Sequence, residues 1–383
     1  MKRFYQVLSY ILIAAVASCV TLFLFQPQVD NRFAKLEQLD AIIQKYFIED
    51  VDQNAVVDGA ANGMVAALGD RWSHYMTAAE YQSYMEQMTN SYVGIGVTIA
   101  ERDDGYLDVE KVDNGGPAQE AGLQVGDVLI RVEQQDIAEI GLSGARDMIR
   151  GKAGTLVQLT VQRLDEEITI TVERREIQTV VATGELLDGG VGLIQITNFD
   201  ERCFQETKAV IETLLAQGAK ALIFDVRFNP GGYKTELVAL LDYLLPEGPL
   251  FRSEDYRGKT EVDTSDEEYL DIPMAVLVNE SSYSAAEFFA AALSEYDAAI
   301  IVGQKTTGKG YFQNTFRLMD GSAVAISTGK YCTPNGVSLA GVGITPDVEV
   351  DVDEETYAGI YYGTLEPEQD PQIQAAIAAL EIG

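Results

Sequence analysis

Two short segments of the chain hold side chains able to make and break acyl bonds. In Asn279-Glu280-Ser281-Ser282-Tyr283-Ser284-Ala285-Ala286-Glu287, Ser284 falls where a strand-like run, Met274 to Val278, gives way to a helix-like one, Ala285 to Tyr296. A serine there has two readings. With Glu287 three positions on, it completes a Ser-x-x-Glu capping box that satisfies orphan N–H groups. Alternatively it is a nucleophile whose oxyanion is held by free N–H groups at the positive end of the helix. Taken by itself, the pattern favours the cap.

A nucleophilic serine needs a base. The chain has one histidine, His74, so any Ser-His-Asp triad would have to use it. Nothing in Asp70-Arg71-Trp72-Ser73-His74-Tyr75 marks it as an activated base. The remaining option is a lysine kept neutral by burial, since desolvation disfavours the charged form. Lys309 stands out in Thr306-Thr307-Gly308-Lys309-Gly310-Tyr311-Phe312-Gln313, a segment with no other charge and a glycine on each side. To work near ambient pH its pKa must fall to about 7–8. Gln313 is spaced to orient the amine, although a solvated loop lysine has the same spacing. Asp225-Val226-Arg227-Phe228-Asn229-Pro230-Gly231-Gly232 is a third candidate. A strand ending in Pro-Gly-Gly brings backbone N–H groups close to whatever lies above the sheet, yet a tight turn without function reads the same way.

The elements that must position these groups follow from periodicity. Phe33 to about Met88 is helical in pattern, with Leu36, Leu39, Ile42, Ile43, Tyr46 and Phe47 at three- and four-residue spacing. Val56 to Leu68 is a second helical stretch that stops at Gly69. Between Tyr92 and Arg174 the texture changes to short strands, Val109–Val112, Val128–Val132, Val157–Val161 and Ile168–Val172, with a short helix in Gly141–Gly151. From Gly190 onward strands and helices alternate: Val191–Ile196, Phe204–Gln217, Ala221–Val226, Thr235–Leu245, Met274–Val278, Ala285–Tyr296 and Ala299–Val302. Such alternation means an α/β layer architecture. The acidic tail past Asp347 ends in a helix expected over Pro371–Leu380.

The chain's 383 residues carry 27 Lys+Arg against 60 Asp+Glu, a formal charge of −33, with 47% hydrophobic residues. This length implies two or three domains with real cores. The acidity argues against nucleic acid, which needs cations at every phosphate contact. A single histidine excludes His-rich metal sites, and Cys19, Cys203 and Cys332 fit neither a disulfide framework nor a zinc motif. No cofactor is indicated.

Lys2 and Arg3 precede an uncharged apolar run, Phe4 to Phe25, whose 22 positions would reach roughly 33 Å and so cross a bilayer. The positive-inside rule puts the N-terminal tip in the cytoplasm and everything after the run outside it. Two rival readings also export the chain: a cleaved signal with Ala15 and Ala17 before Ser18, and a lipobox, Val16-Ala17-Ser18-Cys19, with Cys19 lipidated. The apolar run continues through Val20, Leu22, Phe23 and Phe25, too far for either, so an uncleaved single-pass cell-membrane anchor is expected.

Together these segments resemble the C-terminal processing, or tail-specific, proteases, serine peptidases with a Ser-Lys dyad. The match runs from about Leu39 to Val348. Gly115-Gly116-Pro117-Ala118-Gln119-Glu120-Ala121-Gly122-Leu123-Gln124-Val125-Gly126-Asp127 follows a PDZ signature, and Tyr92-Val93-Gly94-Ile95-Gly96 fits the loop that cradles a peptide carboxylate in such domains. The resemblance implies an α/β protease core with crotonase- or Clp-like layers, interrupted by a β-rich PDZ domain. It sets the nucleophile on Ser284, the base on Lys309, its support on Gln313, and the oxyanion hole on Ala285 with Gly231 or Gly232. Peptide binding falls on Val93, Gly94, Ile95 and Gly96. The implied organisation is 1–29 tip and anchor, 30–90 helical segment, 91–175 PDZ domain, 176–350 protease core and 351–383 tail. It further implies a protein or peptide substrate with an exposed C-terminus, and homodimerisation through the flanking helical segments. Two departures stand out: Tyr283 where a small residue is usual, and Asp70-Arg71-Trp72-Ser73 for the usual Asp-Pro-Tyr-Ser, far from the dyad in sequence. A membrane-anchored PDZ adaptor with a silent core is the rival function. A crotonase-like acyl-CoA enzyme is the other, disfavoured by export.

Overall fold

The computed structural model describes residues 33–380. The expected membrane anchor and Cys19 lie outside them, and among the described residues no helix is long and apolar enough to cross a membrane. The chain divides into two units, the first ending at Ala67 and the second spanning Leu68–Gly383. Within the first, α1 (Ala34–Tyr46) and α2 (Gln53–Ala66) form as the periodicity predicts. Asp52 caps α2 by accepting from the N–H groups of Asn54 and Ala55.

The second unit begins with a correction to the helical reading of 33–88. His74–Met76 is a strand, β1, before α3 (Ala78–Met88). Met76 is buried against Ala323 and Ala325, and that packing fixes an extended conformation. Next comes a β-rich module. β2 (Ser91–Gly94) leads into β3 (Val97–Glu101), β4 (Leu107–Val112), the short α4 (Pro117–Glu120), β5 (Val128–Val132) and β6 (Gln135–Asp136). After α5 (Ile137–Ile149), β7 (Leu156–Arg163) and β8 (Glu166–Glu173) complete a sheet ordered β3-β4-β5-β7-β8, and β9 (Arg175–Gln178) returns to pair with β2. The inward residues, among them Ile95, Leu107, Leu129, Leu159 and Val172, make a core of their own. Asp127 of the Gly-Asp signature is buried and takes a two-point contact from Arg163 at 2.6 and 2.7 Å. A buried carboxylate survives only with such a partner.

β10 (Ala182–Leu187), β11 (Val191–Ile196), β12 (Ala221–Asp225), β15 (Met274–Val278), β16 (Ala299–Gly303) and β19 (Val348–Glu349) form the central sheet in that order, parallel except for β10–β11. Its inner strands β11, β12, β15 and β16 read as near-continuous apolar runs because both faces are covered. Ile194, Leu222, Phe224 and Val276 face α6 (Cys203–Ala216), α7 (Lys234–Leu244) and α8 (Ala285–Glu295). Their neighbours Leu193, Ala221, Ile223 and Ala275 face α10 (Pro371–Ala379), which follows α9 (Glu354–Tyr362). A second sheet joins β1 to β18 (Ala323–Cys332), β13 (Gly248–Asp255) and β14 (Thr260–Ser265), with β17 (Tyr311–Arg317) also on β18. Because β12, β15 and β16 run parallel side by side, the chain leaves all three at one edge of the central sheet. Ligand and catalytic sites gather at that carboxyl edge in open α/β sheets.

Candidate active site

Ser284 stands between β15 and α8 with φ 61° and ψ −122°. For a residue with a Cβ this conformation costs about 1–3 kcal/mol and persists only where the surroundings impose it. They do so through buried polar side chains. Asn279 accepts from the N–H of Phe228 (3.0 Å) and of Ser281 (3.1 Å). The Ser282 hydroxyl donates to the Val226 carbonyl at 2.8 Å, and Tyr283 N–H donates to the Asn229 carbonyl at 3.2 Å. The nucleophile turn and the Pro-Gly-Gly turn are thus laced together. Arg227 anchors the latter from below, paired with Asp225 at 2.6 Å and Asp370 at 2.8 Å.

The capping-box reading of Ser284 and Glu287 does not hold, because Ser284 makes no side-chain cap. Glu287, fully buried, instead reaches the lysine-bearing loop: it accepts from Gly308 N–H at 2.7 Å, Lys309 N–H at 2.9 Å and the Thr306 hydroxyl. Burial pushes its carboxyl above the ordinary range even against those hydrogen bonds. The Ser284 hydroxyl lies against the phenol of Tyr331, and that phenol donates to the Lys309 carbonyl. Serine and lysine segments therefore meet on one buried tyrosine and one buried glutamate.

The Lys309 amine is half-buried, 5.1 Å from the centre of the Trp72 ring and 5.7 Å from that of Tyr283. Burial lowers its pKa to about 8, with the Asp70 and Glu287 carboxylates pulling the other way. That is the range a lysine base needs. Gln313 lies on β17, and its amide nitrogen donates to the Tyr311 carbonyl at 3.1 Å and the Ser327 hydroxyl at 3.0 Å. It thus meets the lysine's surroundings by way of Ser327, whose side chain bonds Asp70.

At the expected oxyanion hole, Gly231 (φ +91°) abuts the serine, and a Cβ there would fall 2.7 Å from Ser284 Cβ. Its N–H is already committed to Asn229 Oδ1 at 2.8 Å. Gly232 bridges Phe199, which pairs through Gly231 O and Tyr233 N and leaves the Gly232 N–H outside those two bonds. Ala285 opens α8, where N–H groups have no intrahelical partner. In the β-rich module, Ile95 is buried, and its carbonyl and that of Gly96 accept from Ala118 N–H (2.9 Å) and Asp113 N–H (3.0 Å). Gly96 takes φ +76°, and a Cβ on Gly94 would lie 2.7 Å from the Tyr92 ring. Val93 pairs with Glu176 across β2 and β9.

Sequence reasoning missed four participants. Glu287 was assigned to its own helix end, and Tyr331 was given no role. Asp70 and Trp72 were judged remote, yet their turn reaches Lys309. Asp70 accepts from the Ser73 hydroxyl at 2.6 Å, and Ser73 in turn accepts from Ser327 N–H at 3.0 Å. Burial opposes ionisation of Asp70, but bonds from Ser327, Ser73 and the backbone outweigh it and hold the carboxyl below its usual range. His74 is exposed, and its ring Nδ1 lies 3.1 Å from the Trp72 carbonyl.

Three stretches of the chain match known family models. Residues 190–350 match the model of peptidase family S41, residues 85–162 match the PDZ domain, and residues 23–80 match the activating protease CtpB N-terminal domain. The carboxy-terminal processing protease CtpA of Bacillus subtilis is 33% identical over 94% of this chain and 80% of its own length. A "Probable CtpA-like serine protease" of Staphylococcus epidermidis is 31% identical over 90% of this chain and 72% of its own. A solved structure assigned to the S41 proteases, from Bacteroides fragilis, superposes with a TM-score of 0.53 at 17% identity, covering 90% of this chain and 95% of that one. That likeness speaks to fold alone.

Proposed function

Because this chain belongs to peptidase family S41 and is a serine-type carboxy-terminal processing protease, we propose that it cleaves proteins bearing exposed C-termini through a Ser284–Lys309 dyad. Neutral Lys309 takes the Ser284 hydroxyl proton as Oγ attacks the scissile carbonyl carbon. The Gly232 and Ala285 N–H groups receive the developing oxyanion. The lysine ammonium then returns the proton to the departing amine, leaving an acyl-enzyme. Lys309 next deprotonates a water that attacks the ester, and its proton goes back to Ser284 Oγ. Asp70 and Glu287 stabilise the transient ammonium, and Gln313 steadies the Asp70 side of the site through Ser327. The observation that carries this reading is a half-buried lysine, its amine set against the Trp72 and Tyr283 rings, tied by Glu287 and Tyr331 to a serine held at positive φ.

The PDZ module captures the substrate's C-terminus at Val93–Gly96 by strand addition, with backbone pairing for affinity and a side-chain pocket for choice. The Phe4–Phe25 run anchors the chain in the cell membrane with the catalytic portion outside the cytoplasm. The test is digestion of an unfolded protein with an apolar tail by the detergent-solubilised full chain, beside S284A and K309A. Wild type should cut it and cut a tail-amidated copy poorly, while both variants stay inert. Inert wild type across substrates would favour a silent PDZ adaptor.

A further inference from the structure

The two departures noted in the sequence, Trp72 and Tyr283, come from segments some two hundred residues apart and meet in space. Their rings lie 6.2 Å apart at 31°, and both stand within cation–π distance of the Lys309 amine. Beside Trp72 is a cavity of about 820 Å³ lined by Leu68, Asp70, Trp72, Tyr256, Tyr311 and Ile326 among others. Trp72 belongs to that lining, whereas Lys309 and Ser284 do not. The indole therefore borders both a roomy, partly polar cavity and the amine. Asp70 and Ser73 hold its turn in place, and the Arg71 guanidinium carbon sits 4.1 Å from the centre of its ring.

We propose that Trp72, braced by Tyr283, is a positioning residue for the base: it partitions the Lys309 amine from the adjoining cavity and keeps water from that side off it. This rests on reading Lys309 as the general base. Charged and titratable groups acting on the amine are Asp70 from its turn, Glu287 from α8 and Tyr283 beside the serine, while Tyr331 from β18 bonds the Lys309 carbonyl instead. Arg71 is held on the far partner, the Trp72 ring, and acts on Glu287. Tyr283 is itself raised above its ordinary range by burial, with Tyr84 adding to it, so it stays a neutral phenol at working pH.

An aromatic face has two opposing effects on an amine. It attracts the cation, by roughly tenfold in equilibrium terms. It also removes hydration, which can depress a lysine by several pKa units. Burial is the larger influence on Lys309. Opening the Trp72 side to water should therefore raise the lysine's pKa, even though one ring's attraction is lost.

The experiment measures kcat/KM against pH for the full chain, wild type, Trp72→Phe, Trp72→Ala, Tyr283→Ala and Lys309→Ala. The same proteins, with 13Cε-labelled lysine, are titrated by NMR, and Lys309→Ala identifies the signal by its loss. Expected are a wild-type rise centred near 8 in both readouts and no displacement in Trp72→Phe. Trp72→Ala should move both upward by one pH unit or more while keeping its high-pH plateau within several-fold, and Tyr283→Ala should shift less. A uniform loss at every pH with the lysine titration unmoved overturns the proposal, as does a downward shift. If Trp72→Ala fails to melt cooperatively, Tyr283→Ala decides by the same two readouts. Turnover by Lys309→Ala equal to wild type would sink the dyad instead, and the NMR titration would still show whether Trp72 governs the amine.

Discussion

The carboxyl edge of the central sheet and the Val93–Gly96 loop of the PDZ module are the two places proposed to bind substrate through backbone N–H groups, and they are held in different ways. At the sheet edge every turn is tied by a buried polar side chain: Asn229, Asn279, Ser282 and Glu287 each bond backbone groups of a neighbouring segment. In the module, the carbonyls of Ile95 and Gly96 accept backbone N–H groups of Ala118 and Asp113, and glycine geometry does the rest. A reacting carbonyl demands donors fixed to a fraction of an ångström, since small misplacements cost orders of magnitude in rate. A loop that takes up varied peptide ends tolerates more play. Bonds from side chains specify geometry, and bonds from backbone alone leave room for choice.

The sharpest way to break this contrast is Glu287→Ala, which strands the N–H groups of Gly308 and Lys309 and the Thr306 hydroxyl. Turnover should fall by about 10²- to 10³-fold, and denaturant unfolding should show a loss of about 2–4 kcal/mol. A near-wild-type rate would mean the lysine loop needs no such tie. Next is Gly232→Ala, whose Cβ would lie 2.2 Å from the Phe199 carbonyl oxygen. Here kcat should drop about 10²-fold, with KM little changed for a short peptide.

pH sharpens the comparison further. With Lys309 at about 8 against an ordinary 10.5, activity should climb as pH rises through 8 and fall about tenfold per unit below it. Folded Lys309 binds fewer protons than unfolded between those two values, so stability gained from this group grows as pH rises from 8 to 10.5 and is lost as pH falls through 8. Urea midpoints across that window read the sign directly. The smallest effect belongs to the module. Gly96→Ala, at φ +76° with a Cβ 3.2 Å from Asp113 Oδ2, should cost about 1 kcal/mol. KM for a tailed protein substrate should rise a few-fold, and cleavage of a short peptide should be untouched.

Much of this was legible in the sequence. The inner strands β11, β12, β15 and β16 of the central sheet announced themselves because strands covered on both faces read as near-continuous apolar runs, and its helices followed within a residue or two, whereas the outer strands β10 and β19, exposed or short, did not. The second sheet did not: β17 is mostly half-buried or exposed along its length, so Tyr311–Arg317 carries no clean apolar signal. His74–Met76 was lost in a helical pattern because one buried methionine is too short a cue. Helix α9 escaped because its acidic start, Glu354-Glu355, reads as solvated tail, and only the Asp353 cap marks it. At the site, Ser284, Lys309 and the glycine turn were visible as residue types in suggestive settings. Glu287, Tyr331 and Trp72 were not, because their roles depend on which distant segments the two sheets bring together.

The central claim, that Ser284 is acylated with Lys309 as its base, is tested most directly by trapping. The full chain is mixed with an activated peptide ester at pH 8, quenched in acid, digested and mapped by mass spectrometry, beside Lys309→Ala. The account predicts an acyl group on the peptide containing Ser284 in wild type and almost none in Lys309→Ala at the same pH. Turnover with the acyl group on another residue, or equal acylation of Ser284 without Lys309, would contradict it.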